Sequence, residues 1–287
     1  MARLSVKIAP GKVTGFLGPN GAGKSTTMRL ITGLDAPSAG TATISGRPYA
    51  AIRHPLREVG ALLDAGAAHP GRTARSHLLA LARSNGIAAG RVAEVLELAG
   101  LTAVAGKRIG SYSLGMRQRL GIATALLGDP EVLLFDEPVN GLDPDGVRWI
   151  RDLVRSLAAE GRTVLLSSHL MSEMQETADH LVVLGRGHLV ADAPLDEVIG
   201  RSSLNAVRVR SPRAELLRRH LLALGMDIAS GKAEEIMVTG CSPAEIGDLA
   251  FRHGIPLHEL SPRQATLEEA YMELTLGSVE YGERKDI

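Results

Sequence analysis

Gly18-Pro19-Asn20-Gly21-Ala22-Gly23-Lys24-Ser25-Thr26 stands where a strand should hand over to a helix. It fits G-x-x-x-x-G-K-[ST], in which glycines let backbone N–H groups close on phosphate oxygens, the lysine reaches the terminal phosphates and the hydroxyl ligates magnesium. Val13-Thr14-Gly15-Phe16-Leu17 ahead of it reads as a short buried strand. Ser25 to Thr32 behind it reads as a helix whose positive N-terminal end faces the anion. Gly18 to Thr26 is therefore the candidate nucleotide-binding loop, with Ser25 as a magnesium ligand.

Around that loop the composition sets limits. The 287 residues leave room for one large domain and a smaller one, and 45% apolar residues bury a real core. Lys plus Arg and Asp plus Glu are both 32, so no global field draws the protein to nucleic acid, and none is expected as a partner. No charge-free run exceeds eleven residues, and the first residues lack the apolar core of a signal peptide, so a soluble intracellular chain is expected. The one cysteine, Cys241, permits neither an internal disulfide nor a cysteine-based metal site.

Leu4 to Ile8 alternates, Pro10-Gly11 turns and Val13 to Leu17 returns, which predicts a hairpin feeding the loop. Thr41 to Ile44 reads as another strand of that antiparallel layer. From about 72 to 128 the pattern becomes helical, with Thr73 to Ser84, Arg91 to Ala99 and Met116 to Leu127 carrying apolar residues at three- and four-residue spacing. Val132 to Phe135, Thr163 to Leu166 and Leu181 to Leu184 are apolar runs of the buried parallel kind, separated by helical stretches. The expectation is an α/β fold: a P-loop NTPase sheet with an antiparallel β layer and a helical insert, over residues 1–203. From 204 to 287 the order reads βαββαβ with a closing helix over Leu267 to Leu274, a small α+β C-terminal domain.

The second chemical signal is Glu131-Val132-Leu133-Leu134-Phe135-Asp136-Glu137, an apolar strand ending in two carboxylates. Hydrolysis on a phosphate loop needs one carboxylate for magnesium and its water shell and another to polarise the attacking water. Asp136 suits the first role and Glu137 the second. Ser167-Ser168-His169 lies at the end of the next strand, where ligand sites of open parallel sheets gather, so His169 is placed to reach a terminal phosphate. Ser113 and Gly115, in Tyr112-Ser113-Leu114-Gly115-Met116 followed by Arg117-Gln118-Arg119, open a helix whose N-terminus suits an anion.

Together these stretches, over roughly residues 3 to 200, resemble the nucleotide-binding subunits of ABC transporters. Gly18 to Ser25 matches the family's Walker A loop, Tyr112 to Met116 its signature, Val132 to Glu137 its Walker B strand, Asn140 to Asp143 its D-loop and His169 its switch histidine. The resemblance implies ATP and Mg²⁺ as cofactors. It implies a head-to-tail homodimer, or a heterodimer with another ATPase subunit, in which Ser113 and Gly115 of one subunit complete the ATP site of the other. It also implies a separately encoded membrane-spanning permease and a cytoplasmic chain peripheral on the inner face of the membrane. The region after 204, ending in Ala265-Thr266-Leu267-Glu268-Glu269-Ala270-Tyr271, resembles the C-terminal extension of the drug- and antibiotic-export branch.

Two positions depart from the family. Where it usually carries a magnesium-contacting Gln after the strand aligned on Val59 to Leu63, this chain has Asp64, a carboxylate able to bind the magnesium water shell weakly. No aromatic precedes Phe16, although the family stacks adenine on one about two dozen positions ahead of the loop; either the start is recorded too late or adenine is held by other residues. Losing a base–aromatic stack costs about 1–3 kcal/mol. The alternative readings are a non-transport ABC ATPase acting on nucleic acid or the ribosome, and a nucleotide-sensing regulatory module.

Overall fold

A computed structural model describes residues 4–229 and 234–275. The chain divides into two compact units, Met1–Pro194 and Leu195–Ile287.

In the first unit, β1 (Lys12–Leu17) runs through the loop into α1 (Lys24–Ile31). A short α2 (Pro55–Glu58) leads into β2 (Val59–Leu62), and the helical insert follows as α3 (Ala74–Ser84), α4 (Gly90–Leu98) and α5 (Leu114–Ala125). Then come β3 (Val132–Asp136), α6 (Pro144–Ala159), β4 (Thr163–Ser167), α7 (Met171–Thr177), β5 (His180–Gly185) and β6 (His188–Pro194). The sheet order is β2-β3-β4-β1-β5-β6. The first five strands are parallel, and only β6 runs antiparallel, against β5.

Parallel strands covered on both faces must be apolar throughout, and Val132 to Phe135 and Val164 to Leu166 meet that demand. Phe16, Met28, Leu134, Leu165, Val182 and Leu184 share one core cluster. Helix α6 buries Ile150, Leu153, Val154 and Leu157, at helical spacing; Asp143 caps it by accepting from Gly146 N at 2.8 Å, and Pro144 occupies its first turn. Bare backbone brings the insert close to the sheet: a Cβ on Gly60 of β2 would overlap the Ala125 carbonyl of α5.

Among the described residues the N-terminal hairpin is not formed. Leu4, Val6 and Ile8 alternate in burial and pack on the core cluster, so their pattern is a genuine extended face. They make no ladder with β1 because both edges of that strand are taken, by β4 and by β5. The expected strand at Thr41 to Ile44 reduces to a single antiparallel bridge between Ile44 and Arg47. The sheet also gains β6, which the sequence reading did not place.

The second unit begins with α8 (Leu195–Gly200), also unplaced by that reading. It continues through β7 (Ala206–Arg210), α9 (Ala214–Ala223), β8 (Asp227–Ala229), β9 (Glu235–Thr239), α10 (Pro243–Arg252), β10 (Glu259–Arg263) and α11 (Leu267–Thr275). The antiparallel sheet has the order β10-β7-β9-β8, as a split βαβ arrangement requires. Val207, Val209, Leu217, Leu221, Ile236, Val238 and Ile246 form its core. Pro262 is tolerated within β10 because that strand is an edge.

Candidate nucleotide site

The sheet order explains why the chemistry gathers. β3, β4 and β1 are neighbours and parallel, so their C-terminal ends lie side by side, Asp136 opposite Ser167 and Ser167 opposite Phe16. From those ends spring the phosphate loop, the carboxylate pair and the Ser167-Ser168-His169 segment.

In the loop, Gly21 (φ 81°) and Gly23 (φ 106°) adopt left-handed backbone that side chains disfavour. A Cβ at Gly18 would stand 2.7 Å from the Leu184 carbonyl oxygen and 2.9 Å from the Ala22 Cβ, so the loop closes tightly over β5. The Lys24 side chain is buried, 7% exposed, and its Nζ donates to Gly18 O at 2.6 Å and to Pro19 O at 3.4 Å. Its ammonium therefore lies across the loop instead of reaching into solvent. α1 has no side-chain cap and no acidic residue in its first turn, which leaves its positive end to an anion. Ser25 and Thr26 are exposed at that end.

The carboxylates are held differently. Ser167 Oγ, fully buried, donates to Asp136 Oδ1 at 2.5 Å and accepts from Glu137 N at 2.9 Å, so one hydroxyl fixes both. Glu137 has φ 49°, a left-handed conformation costing a non-glycine residue about 1–2 kcal/mol. Such strain persists where surrounding bonds over-determine it. Here they include Ser167, Asn140 N to Glu137 O at 3.2 Å and Gln118 Nε2 to the same oxygen at 3.2 Å. Its Oε2 lies 2.7 Å from His169 Nδ1 and accepts from His169 N at 3.3 Å. The imidazole side chain is half exposed and the glutamate side chain mostly covered.

Ser113 caps α5, accepting from Met116 N at 3.2 Å, while Tyr112 is buried and donates its hydroxyl to Val104 O at 2.8 Å. A Cβ on Gly115 would stand 3.0 Å from Gly141 O, so the start of α5 packs bare backbone on the 140–143 turn. Ser113 itself is exposed. Among the described residues no hydrogen bond joins Ser113 or Gly115 to the phosphate loop of the same chain. Asp64 sits just past β2 at the same sheet edge as the other strand-end groups; its Oδ1 accepts from Gly66 N at 2.7 Å, closing a turn.

Comparison with known proteins places this constellation. The ABC transporter family model matches residues 1–140, and a model described as a domain of unknown function (DUF8746) matches 205–268. An uncharacterized ABC transporter ATP-binding protein of Bacillus subtilis, YhcH, is 39% identical over 285 residues, covering 95% of this chain and 90% of its own. The chain belongs to the ATP-binding subunits of ABC transporters. The bacitracin transport ATP-binding protein BcrA of Bacillus licheniformis is 41% identical over 202 residues, 69% of this chain and 66% of that one. A solved structure of an ATP-binding subunit of an ABC transporter superposes with a TM-score of 0.62 at 27% identity, over 68% of this chain and 84% of that one.

As an ABC ATPase, the protein binds and hydrolyses ATP. Its donor set suits magnesium, a hard ion that keeps several waters and takes few protein oxygens: the exposed Ser25 hydroxyl and the Asp136 carboxylate are such donors. No group of three or more His, Cys, Asp or Glu that could hold a metal by itself occurs among the described residues. None of their helices is long and apolar enough to cross a membrane. What the sequence reading of this ABC subunit missed was Ser167: only strand register shows that its hydroxyl bridges Asp136 and Glu137.

Proposed function

We propose that this subunit powers an exporter of the drug- and antibiotic-efflux kind. It docks through a separately encoded permease on the cytoplasmic face of the membrane and pairs head to tail with a second copy, or with another ATPase subunit, around ATP. The bacitracin transport relative supports the substrate class. The transport names of the relatives favour this reading over an ATPase acting on nucleic acid or the ribosome, or a nucleotide-sensing module.

In this reading Gly18 to Thr26 wrap the phosphates, with Lys24 on the terminal ones. Ser25 and Asp136 hold Mg²⁺, with Asp64 as a weaker contact to its water shell; the ion neutralises phosphate charge. Glu137 takes a proton from the water that attacks the γ-phosphorus as the bond to the bridging oxygen breaks and ADP leaves. His169 orients Glu137 and contacts the γ-phosphate. Ser113 and Gly115 of the partner copy present a helix N-terminus to that phosphate. The observation that carries the reading is the meeting of phosphate loop, carboxylate pair and His169 at three neighbouring strand ends.

Glu137→Gln tests it. ATP binding should persist, phosphate release should fall by about 10²–10⁴, and the protein should elute as a dimer with ATP. A monomer with ATP that hydrolyses at the wild-type rate would refute the assignment.

A further inference from the structure

We propose that Gln118 is a positioning residue that ties the signature helix to the catalytic glutamate. Its Nε2 donates to Glu137 O at 3.2 Å, and the side chain is only 6% exposed. That carbonyl also accepts from Asn140 N at 3.2 Å, a local turn bond that would survive without Gln118. The bond from Gln118 is the one that crosses from α5, and it lands on the residue with the left-handed backbone, φ 49°.

Gln118 shares α5 with the signature residues, so its position is tied to theirs. Ser113 and Gly115 lie five and three residues ahead on the same rigid element, about 1.5 Å of rise per residue. The next residue, Arg119, stacks its guanidinium 4.4 Å from the Trp149 ring centre on α6 and donates to Ala99 O at 3.2 Å, anchoring the helix on both sides. Gln118 Oε1 is buried and makes no hydrogen bond, so the amide is kept at a cost that packing alone does not explain. A methionine of the same length would fill the volume without that penalty. The amide's return is control of the Glu137 peptide plane, and through it the direction of the carboxylate toward His169 and the attacking water. Engagement of Ser113 and Gly115 with a partner's nucleotide thereby reports on the Glu137 of the chain that supplies them. The two sites of a dimer are coupled through one hydrogen bond per subunit.

This rests on Glu137 being the base, and the experiment separates the two ideas. Purified full-length chain is compared as wild type, Gln118→Met, Glu137→Gln and the double variant, by steady-state ATP hydrolysis and thermal melting. Gln118→Met should lower kcat roughly ten- to a hundredfold, the scale expected for a catalytic group displaced by about an ångström, with KM for ATP unchanged. The melting temperature should stay within about 2 °C. In the Glu137→Gln background the same change should cost nothing further, because its effect runs through the missing carboxylate. Gln118→His, whose Nε2 can occupy the amide position, should restore most of the rate; Gln118→Asn, one methylene short, should not. A wild-type kcat for Gln118→Met, or a fall that tracks a lowered melting temperature, or an equal loss with and without the Glu137 carboxylate, overturns the proposal. If Glu137→Gln alone turned over normally, it would be the base assignment that failed. Should Gln118→Met not fold, the contrast between Gln118→His and Gln118→Asn decides by itself.

Discussion

His169 and Glu137 meet across two strand ends, Nδ1 of the imidazole 2.7 Å from Oε2 of the carboxylate, with the His169 N–H 3.3 Å from the same oxygen. A single carboxylate oxygen therefore takes both contacts. Replacing the ring while keeping the backbone donor should loosen the carboxylate without emptying the phosphate loop. His169→Ala is expected to lower kcat by about 10² and leave KM for ATP within a factor of a few, because the proposed site assigns phosphate binding to Lys24 and the loop. Steady-state kinetics alongside equilibrium binding of a fluorescent ATP analogue separates the two effects. A large loss of affinity with kcat retained would place His169 in binding alone.

Asp64 offers a test of charge against geometry. Its Oδ1 accepts from Gly66 N at 2.7 Å, and Ala67 N donates to its carbonyl at 3.3 Å, so the side chain closes an Asx turn directly after β2. Asp64→Asn keeps that acceptor and removes the charge. If the carboxylate touches the magnesium water shell, the magnesium concentration for half-maximal hydrolysis should rise roughly two- to fivefold, the worth of an exposed ion contact. The melting temperature should not move. An unchanged magnesium titration would reduce Asp64 to a turn former.

What the sequence revealed and what it hid divide along the range of the interactions. The phosphate loop, the Asp136-Glu137 strand end and the Ser113 cap are short stretches whose spacing alone carries their chemistry, and each stands on the predicted kind of element. Two helices of the insert were legible for the same reason, because α3 and α4 each declare a 3.6-residue period, whereas α5 is buried on several sides and shows hardly any. The Leu4 to Ile8 segment misled because alternation reports an extended face, not a paired edge; whether β1 had an edge to offer depended on β4 and β5, over a hundred residues away. Strand β6 escaped because its apolar run is only Leu189-Val190-Ala191, broken by Asp192 and closed by Pro194, and the strand is only partly covered. Ser167 looked like one of two serines before a histidine. Only the register that sets it opposite Asp136 makes it the hinge pin of the carboxylates. The left-handed backbone of Glu137 likewise follows from bonds to Ser167, Asn140 and Gln118, with no local signal for it.

The C-terminal unit can be followed by acid. At the start of α10, Ser242 and Glu245 form a capping box: the Glu245 carboxylate accepts from Ser242 N at 2.7 Å and from Ser242 Oγ at 2.9 Å, and Glu245 N donates to Ser242 Oγ at 3.3 Å. These bonds, the backbone one foremost and the hydroxyl next, favour the charged form and hold Glu245 below its ordinary value of 4.5. The folded state therefore binds this proton less readily than the unfolded chain does. The stabilisation is fully present above the unfolded value and is lost as pH falls through the lower folded one. Glu245→Gln keeps an acceptor but cannot titrate. The melting temperatures of wild type and Glu245→Gln should differ by a constant amount above about pH 5.5 and converge as the solution is taken toward pH 3. A gap independent of pH over that range would mean that the carboxylate's charge contributes nothing to the cap. A gap that widened on acidification would reverse the sign of the shift.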